Sequence, residues 1–365
     1  MAEKKKKKKG IGRFLFGLTA RTFMLASAGM LVLSYLSMYV NPAEAWFMTI
    51  FGLLFIVFFF VNLVLLLWAI RRHSGAFVIP LLALLPSVFL IGRYVQFSGR
   101  DEVSGDAVTL VDYNVGKFVM YPEYAGIKSD EACADSVFSL LRRTGADIIC
   151  LQEFHAHKGE EVEEFISRYM PGYEVEYYAH VGGHGPYGNV ILSRFPVVGR
   201  GKFDFEDSSN MAIYADLDIG GEVLRVYNCH FESYSLSLPR LVKAVTSREE
   251  GKMQEAEEKM RNSIRRRPRQ VDEVLGDIRN SPVESIVTGD FNDTPMSYTY
   301  QQLKRGKKDT FVEAGKGLGG TYSGLWPFIR IDYVLLPGKC DALYHKVVRK
   351  RFSDHYPIVT RVKIN

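Results

Sequence analysis

Ile286-Val287-Thr288-Gly289-Asp290-Phe291-Asn292-Asp293 runs from a short β-branched segment straight into an acid-rich turn. Residues of this kind, stopped by glycine and aspartate, read as a strand that delivers polar side chains at its end. The arrangement recurs from Ala107 onward. Thr109-Leu110-Val111-Asp112-Tyr113 ends in Asn114, Ile148-Ile149-Cys150-Leu151-Gln152 in Glu153, and Val226-Tyr227-Asn228-Cys229 in His230. Arg330-Ile331-Asp332-Tyr333 and Ser353-Asp354-His355-Tyr356-Pro357 complete the series. Strands are expected at 108–114, 147–152, 190–193, 223–229, 285–288, 331–335 and 357–362, with helices at 136–144 and 249–278. Such alternation points to an α/β domain in which two sheets pack together with helices outside.

Charge divides the chain. Residues 1–100 hold 12 Lys+Arg and 2 Asp+Glu, a net +10, leaving 34 Lys+Arg and 39 Asp+Glu, a net −5, for 101–365. The overall +5 therefore describes neither part. An acidic body argues against nonspecific binding of nucleic acid, which favours a basic surface.

The basic head begins with Lys4 to Lys9 and continues into three apolar stretches, 23–40, 46–70 and 76–97. A spanning helix needs roughly 20 apolar residues to cross about 30 Å of hydrocarbon. The second meets this most comfortably. The third carries Pro80, Pro86 and Arg93, and needs Arg93 to snorkel. Ala43-Glu44-Ala45 resembles a signal cleavage site, but the first stretch is long for a signal peptide and reads as a retained helix. With Lys4–Lys9 and Arg71-Arg72 on the cytoplasmic side, three crossings leave residue 101 onward outside the cytoplasm; if the third stretch does not span, that part faces the cytoplasm instead.

No Cys-x-x-Cys pair occurs among Cys133, Cys150, Cys229 and Cys340, which argues against zinc. Cys150 and Cys229 lie in apolar runs and read as buried thiols. Oxygen donors repeated at strand ends, without a serine or cysteine nucleophile signature, point instead to a hard cation such as Mg²⁺.

These blocks, in this order, resemble the endonuclease/exonuclease/phosphatase superfamily over about residues 106–365, and most resemble its bacterial multi-pass membrane members. The resemblance implies a four-layer α/β/β/α sandwich of two packed mixed sheets behind N-terminal transmembrane helices. Residues 1–100 would be the membrane anchor, in a bacterial cytoplasmic membrane, and 101–365 the catalytic domain. It implies Glu153 as principal Mg²⁺ ligand (Mn²⁺ substituting), with Asn114 beside it and Asp354 as another metal-side carboxylate. Asp290 and Asn292 would align or deprotonate water and hold a phosphate oxygen. His355 would contact the scissile phosphate, oriented by Asp332, and His230 would be a second phosphate-binding histidine. After Asn114 the chain reads Val115-Gly116-Lys117, where some nucleases of the family carry a second acidic group. That departure argues against a second metal of their kind.

The expected activity is hydrolysis of a phosphate ester, on a lipid head group or small phosphorylated molecule. A membrane-tethered nuclease is the alternative, and an inactive binding protein a third reading. Asn189 could border the site or serve strand packing, and Asp332 could instead partner Arg330. Arg265-Arg266-Arg267-Pro268-Arg269 reads as a solvated helix end or a contact to an anion. His155, His157, His180 and His184 read as solvated loop residues. Segments 231–240 and 315–328, with Tyr322 and Trp326, are the expected substrate walls.

Overall fold

The computed structural model describes residues 2–99, 107–118, 129–156, 159–182, 185–206, 208–234, 250–325, 327 and 329–365. His157, His184, Trp326 and the 235–240 part of one expected substrate wall lie outside the described residues. The chain divides into two compact units, residues 1–92 with 296–298, and residues 93–295 with 299–365.

The first unit holds helices α1 (Ala2–Leu36), α2 (Met48–Leu53), α3 (Phe55–Arg71), α4 (Val78–Leu84) and α5 (Ser87–Leu90). Among the described residues, two stretches are long and apolar enough to cross a membrane, Phe14–Leu36 with 23 residues and Gly75–Arg93 with 19. The 46–70 stretch, expected to span most comfortably, is interrupted at Leu54, and α3 has 17 residues. Gly52 lies so close to the residue that follows α1 that an added Cβ would come within 2.5 Å of Ser37 Oγ. Asn62, fully buried in α3, donates to the Ser27 carbonyl and Oγ and to the Phe58 carbonyl. Phe23, Leu25, Val64, Leu67 and Phe89 face outward and are exposed.

The second unit carries two six-stranded sheets. Its strands are β1 (Val108–Asn114), β2 (Ile148–His155), β3 (Glu174–Gly182), β4 (Gly185–Ser193), β5 (Val197–Asp204) and β6 (Met211–Ile219). They continue with β7 (Glu222–His230), β8 (Ser285–Asp290), β9 (Lys308–Asp309), β10 (Asp332–Leu336), β11 (Cys340–Val347) and β12 (Ile358–Ile364). One sheet has the order β11-β12-β1-β2-β4-β3, the other β9-β10-β8-β7-β6-β5. Each contains one parallel pair at its centre, β1 with β2 and β7 with β8.

Alternation along the strands builds three apolar layers. Leu110, Cys150 and Ile191 of the first sheet meet Ile213, Val226 and Ile286 of the second between the sheets. Their sequence neighbours Val111, Leu151 and Val190 face the other way, under α6 (Asp130–Thr144) and α7 (Val162–Tyr169). Tyr227 and Val287 pack under Val271 and Val274 of α8 (Glu250–Asn280). The order is helix, sheet, sheet, helix, the expected sandwich. Burying each large aliphatic side chain contributes roughly 1.5–3 kcal/mol.

Helix α6 starts six residues before its expected position because Ser129 caps it, accepting from Ala132 N at 3.2 Å. Gly145, at φ 62°, ends it. Segment Arg93–Gln96 belongs to the second unit. Arg93 Nη1 donates to the Pro295 carbonyl at 2.9 Å, Gly319 N donates to the Tyr94 carbonyl, and Val95 and Gln96 pair with Leu318 and Gly317. All four cysteines are free and buried.

Candidate functional site

The two parallel pairs end at the same edge of the sandwich. Asn114, the last residue of β1, lies opposite Gln152 of β2, and Glu153 follows. His230, the last residue of β7, lies opposite Asp290 of β8, which in turn faces Asp332 at the start of β10. His355 lies three residues before Ile358, which opens β12 opposite Asp112 of β1. Strand-end positions scattered over more than 240 residues of sequence are thus gathered at one edge.

Local backbone sets the side chains. Glu153 sits in an irregularity between Leu151 and Phe154, at φ 52°. A bulge of this kind re-aims one side chain out of the strand alternation. Asn292 is likewise left-handed, at φ 51°, and such non-glycine residues persist only where their surroundings enforce them. Gly289 is required where it stands, because a Cβ there would lie 1.9 Å from the Cys229 carbonyl oxygen.

Asp290 is the hub. Its Oδ1 accepts from Asn292 N at 2.8 Å, and its Oδ2 from Asn114 Nδ2 at 3.0 Å and Asn292 Nδ2 at 3.2 Å. The same Oδ2 lies 3.7 Å from His355 Nε2 and 3.8 Å from His230 Nε2. Burial pushes the Asp290 carboxyl up to about 6, against the pull of His355. Asn292 Nδ2 also donates to the Phe231 carbonyl at 2.9 Å, which ties the turn to the end of β7.

Their surroundings push the two histidines in opposite directions. Burial works against protonation of both. For His355 it is outweighed by Asp332, Asp290 and Asp354, which hold its pKa well above the usual 6.5. Both oxygens of Asp332 lie 3.0 Å from His355 Nδ1. For His230 burial prevails over Asp290, and its pKa falls below 6.5. Arg330 is not the partner of Asp332; it makes a buried ion pair with Asp309 at 2.7 Å.

Glu153 Oε1 lies 3.3 Å from Asn114 Nδ2 and 3.8 Å from His230 Nε2. Its pKa is raised by burial and then by the neighbouring charge of Asp354. Asp354 accepts from Ser353 Oγ at 3.2 Å. Four carboxylates, Glu153, Asp290, Asp332 and Asp354, thus face one imidazolium. An all-oxygen donor group with this excess of negative charge fits a hard divalent cation at Glu153, with Asn114 and Asp354 beside it. Asp290, Asp332 and His355 also bring one ligand atom each within 4.8 Å of one another. Asp332 is committed to His355, however, so we read that trio as proton-holding rather than ligating.

Sequence reasoning missed the polar layer beneath the site. Gln152 Nε2 donates to Asp112 Oδ1 at 2.8 Å and to Asn228 Oδ1 at 2.7 Å, all three fully buried. Asn228 Nδ2 donates to the Leu151 and Val190 carbonyls, and Asn189 Nδ2 to the Met211 and Asn228 carbonyls. Burial raises the Asp112 pKa well above its ordinary value. The available signal was polar residues at sheet-facing positions of apolar strands. Asn189 serves packing between strands.

Of the expected walls, Tyr322 stands edge-on to the His355 ring at 5.4 Å. Phe231 is instead core, fully buried against Phe205 and Phe291. Arg267 is neither at a helix end nor solvated. It is buried within α8, with Nη1 2.8 Å from Asp293 Oδ2 and Nε donating to the Glu232 carbonyl.

Such a sandwich, with acid, amide and imidazole groups at one edge, defines a metal-dependent hydrolase of phosphate esters. The chain belongs to the Endonuclease/Exonuclease/phosphatase family, whose model matches residues 113–355. A domain of unknown function matches residues 14–94. Comparison with curated proteins gives no match. Among solved structures, an endonuclease/exonuclease/phosphatase from Beutenbergia cavernae DSM 12333 is similar at TM-score 0.53 and 17% identity, over 72% of each chain. One from Bacteroides vulgatus is similar at TM-score 0.52 and 16% identity, over 72% of this chain and all of that one. The human Nocturnin catalytic domain with bound sulfate is similar at TM-score 0.52 and 15% identity, over 73% of this chain and 98% of that one. At these identities the likeness is one of fold.

Proposed function

We propose that the chain is a membrane-anchored, Mg²⁺-dependent phosphoesterase that cleaves phosphodiester or phosphomonoester bonds of a lipid head group or small phosphorylated molecule. Residues 1–100 are its anchor and 101–365 its catalytic domain. The observation that carries this reading is the convergence on Asp290 of His355, His230 and two amides, with Glu153 alongside.

Glu153, Asn114 and Asp354 would hold the cation, which when bound supplies charge neutralisation and Lewis acidity to the phosphoryl group. Oxygen donors favour Mg²⁺, with Mn²⁺ a substitute. Asp290, with a carboxyl near 6, is suited to take a proton from water attacking in line with the leaving group. Asn292 is fixed on Asp290 and the Phe231 carbonyl, so its amide can steer water and a phosphate oxygen. His355 donates from Nε2 to a phosphate oxygen while Asp332 fixes Nδ1 and the ring plane. His230, uncharged, gives a second hydrogen bond to the phosphate.

The anchor is supported by the two long apolar stretches, whose most apolar windows are only 17% and 28% buried, unlike core helices. With the 46–70 segment as a further crossing, the basic flanks favour an extracytoplasmic hydrolase domain. The net −5 of 101–365 favours a lipid or small phosphoester over nucleic acid.

The test uses the full chain in detergent micelles, with Mg²⁺ or EDTA, beside His355→Ala. It is offered vesicles containing sphingomyelin or phosphoinositides, and separately plasmid DNA. Mg²⁺-dependent lipid hydrolysis, lost in the variant, is expected. Nicking of DNA without lipid turnover would replace this reading by a tethered nuclease, and binding without turnover would leave an inactive binding protein.

A further inference from the structure

Between Asn114 and the core, the chain makes a turn whose shape the catalytic assignments do not use. Gly116, Lys117 and Phe118 are all left-handed, at φ 56°, 62° and 55°. Only glycine adopts that conformation readily, so a lysine and a phenylalanine are held there by their surroundings.

Those surroundings are specific. Gly116 N donates to Asn114 Oδ1 at 3.0 Å, and Phe118 N to the Val115 carbonyl at 3.1 Å. The Phe118 ring is buried, 5.7, 5.5 and 6.1 Å from the rings of Phe138, Phe154 and Phe165. A Cβ on Gly116 would lie 3.0 Å from Ser353 Oγ and 3.5 Å from Asp354 Oδ1. The turn is thus pinned between an aromatic cluster and the Ser353–Asp354 segment, and Lys117 is its exposed tip. The Lys117 ammonium sits 4.7 Å from the centre of the Tyr187 ring. Tyr187 lies on β4 opposite His155, just past Glu153 on β2.

We propose that Lys117 and the Tyr187 ring form a subsite for a second phosphate of the substrate, on the Glu153 flank of the site. This rests on the phosphoesterase reading and narrows its substrate to one with an additional anionic group beside the scissile phosphate. The imidazoles of His230 and His355 gather around Asp290, at 3.8 and 3.7 Å. Lys117 instead stands over Tyr187, on the Glu153 side of the site, where that carboxylate feels its charge. Its contact with an aromatic face is the weaker of the bonds open to an ammonium. Phosphate oxygens offer the stronger one, and the ring leaves the ammonium free to turn toward them. The cation stands three residues beyond Asn114, next to the position where some nucleases of the family carry an acid.

The full chain in detergent would be assayed for diacylglycerol release from short-chain phosphatidylinositol and from its 4-phosphate, so that the same diester bond is followed. The ratio of kcat/KM for the 4-phosphate over the parent should fall at least about tenfold in Lys117→Ala and be largely kept in Lys117→Arg. A ratio unchanged within twofold, or equal losses on both lipids, would overturn the subsite; equal losses would put Lys117 on the scissile phosphate instead. Titration of glycerophosphoinositol and its 4-phosphate into the same proteins separates the two readings. If neither lipid is cleaved but the Lys117→Ala chain loses its binding preference for the 4-phosphate, the esterase reading falls and the subsite stands. If binding is also indifferent to Lys117, the subsite falls.

Discussion

Replacing Arg267 with methionine should cost the catalytic unit about 3–5 kcal/mol, the usual consequence of removing one partner of a buried ion pair. Arg267 is 1% exposed and meets Asp293 Oδ2 at 2.8 Å. It also donates to the Glu232 carbonyl at 2.7 Å and stacks 4.3 Å above the Tyr234 ring. Methionine fills much of the volume but leaves Asp293, 2% exposed, with the Tyr234 hydroxyl and Thr294 N as its remaining donors. At roughly 2–4 °C per kcal/mol for a domain of this size, Tm should fall by about 6–20 °C. The double variant Arg267→Met/Asp293→Asn removes the stranded charge and should recover at least about 2 kcal/mol, because the cost lies in the unpaired ion rather than in lost attraction. Near-UV circular dichroism of the full chain in detergent would follow the unfolding. A single variant that loses under about 1 kcal/mol, or a double variant no more stable than the single, would refute this account of the clamp.

Asp332→Asn should lower kcat/KM about 10²–10³-fold, since it removes the group that fixes His355 Nδ1 and sustains its charge; a loss under tenfold in the phosphoesterase assay would count against that role. His345 supplies a pH dependence remote from the site, its Nδ1 2.8 Å from Thr310 Oγ1. Burial depresses its pKa to about 3, whereas the unfolded chain takes up that proton below about 6.5. Stability is therefore fully present above 6.5 and lost as pH falls toward 3, by up to about 1.4 kcal/mol per pH unit. His345→Gln should flatten that slope relative to the parent in denaturation at pH 7.5, 5.5 and 4.5, and parallel curves would refute it. A fragment starting at residue 93 should melt above one starting at 101, because Arg93 covers the Tyr300 ring at 5.3 Å and Val95 pairs with Leu318; equal melting would show these contacts to be idle.

The strands that carry the site were legible because each is a β-branched run cut off by a polar stop, as in Ile286-Val287-Thr288 before Gly289-Asp290. Strand β5 was not expected. Its residues alternate between half-buried and exposed, and it contains Gly199 and Gly201. The second glycine is needed because the Tyr214 ring lies where its Cβ would be, 2.4 Å away. That requirement comes from a neighbouring strand and leaves no local mark. The acid, amide and imidazole residues were found by type and position, but their meeting at Asp290 depends on register between strands far apart in sequence. Arg267 misled for the same reason. Inside Arg265-Arg266-Arg267 nothing distinguishes the one guanidinium that a buried aspartate awaits. The break at Leu54, where the backbone turns to φ −91° and ψ 9°, was hidden too, because it falls inside an overwhelmingly apolar run.

The burial of every cysteine has a practical consequence. Alkylating reagents attack the thiolate, and burial pushes the Cys133 and Cys340 thiols up to about 11 and those of Cys150 and Cys229 well above their usual range. The native chain should therefore give little background in maleimide chemistry, which labelling of the parent chain alone would check. A single Lys363→Cys change, at an exposed position on β12, would provide the one reactive thiol. Labelled on intact cells with a membrane-impermeant maleimide, it reports which side of the bilayer the hydrolase unit faces, with every native cysteine left in place.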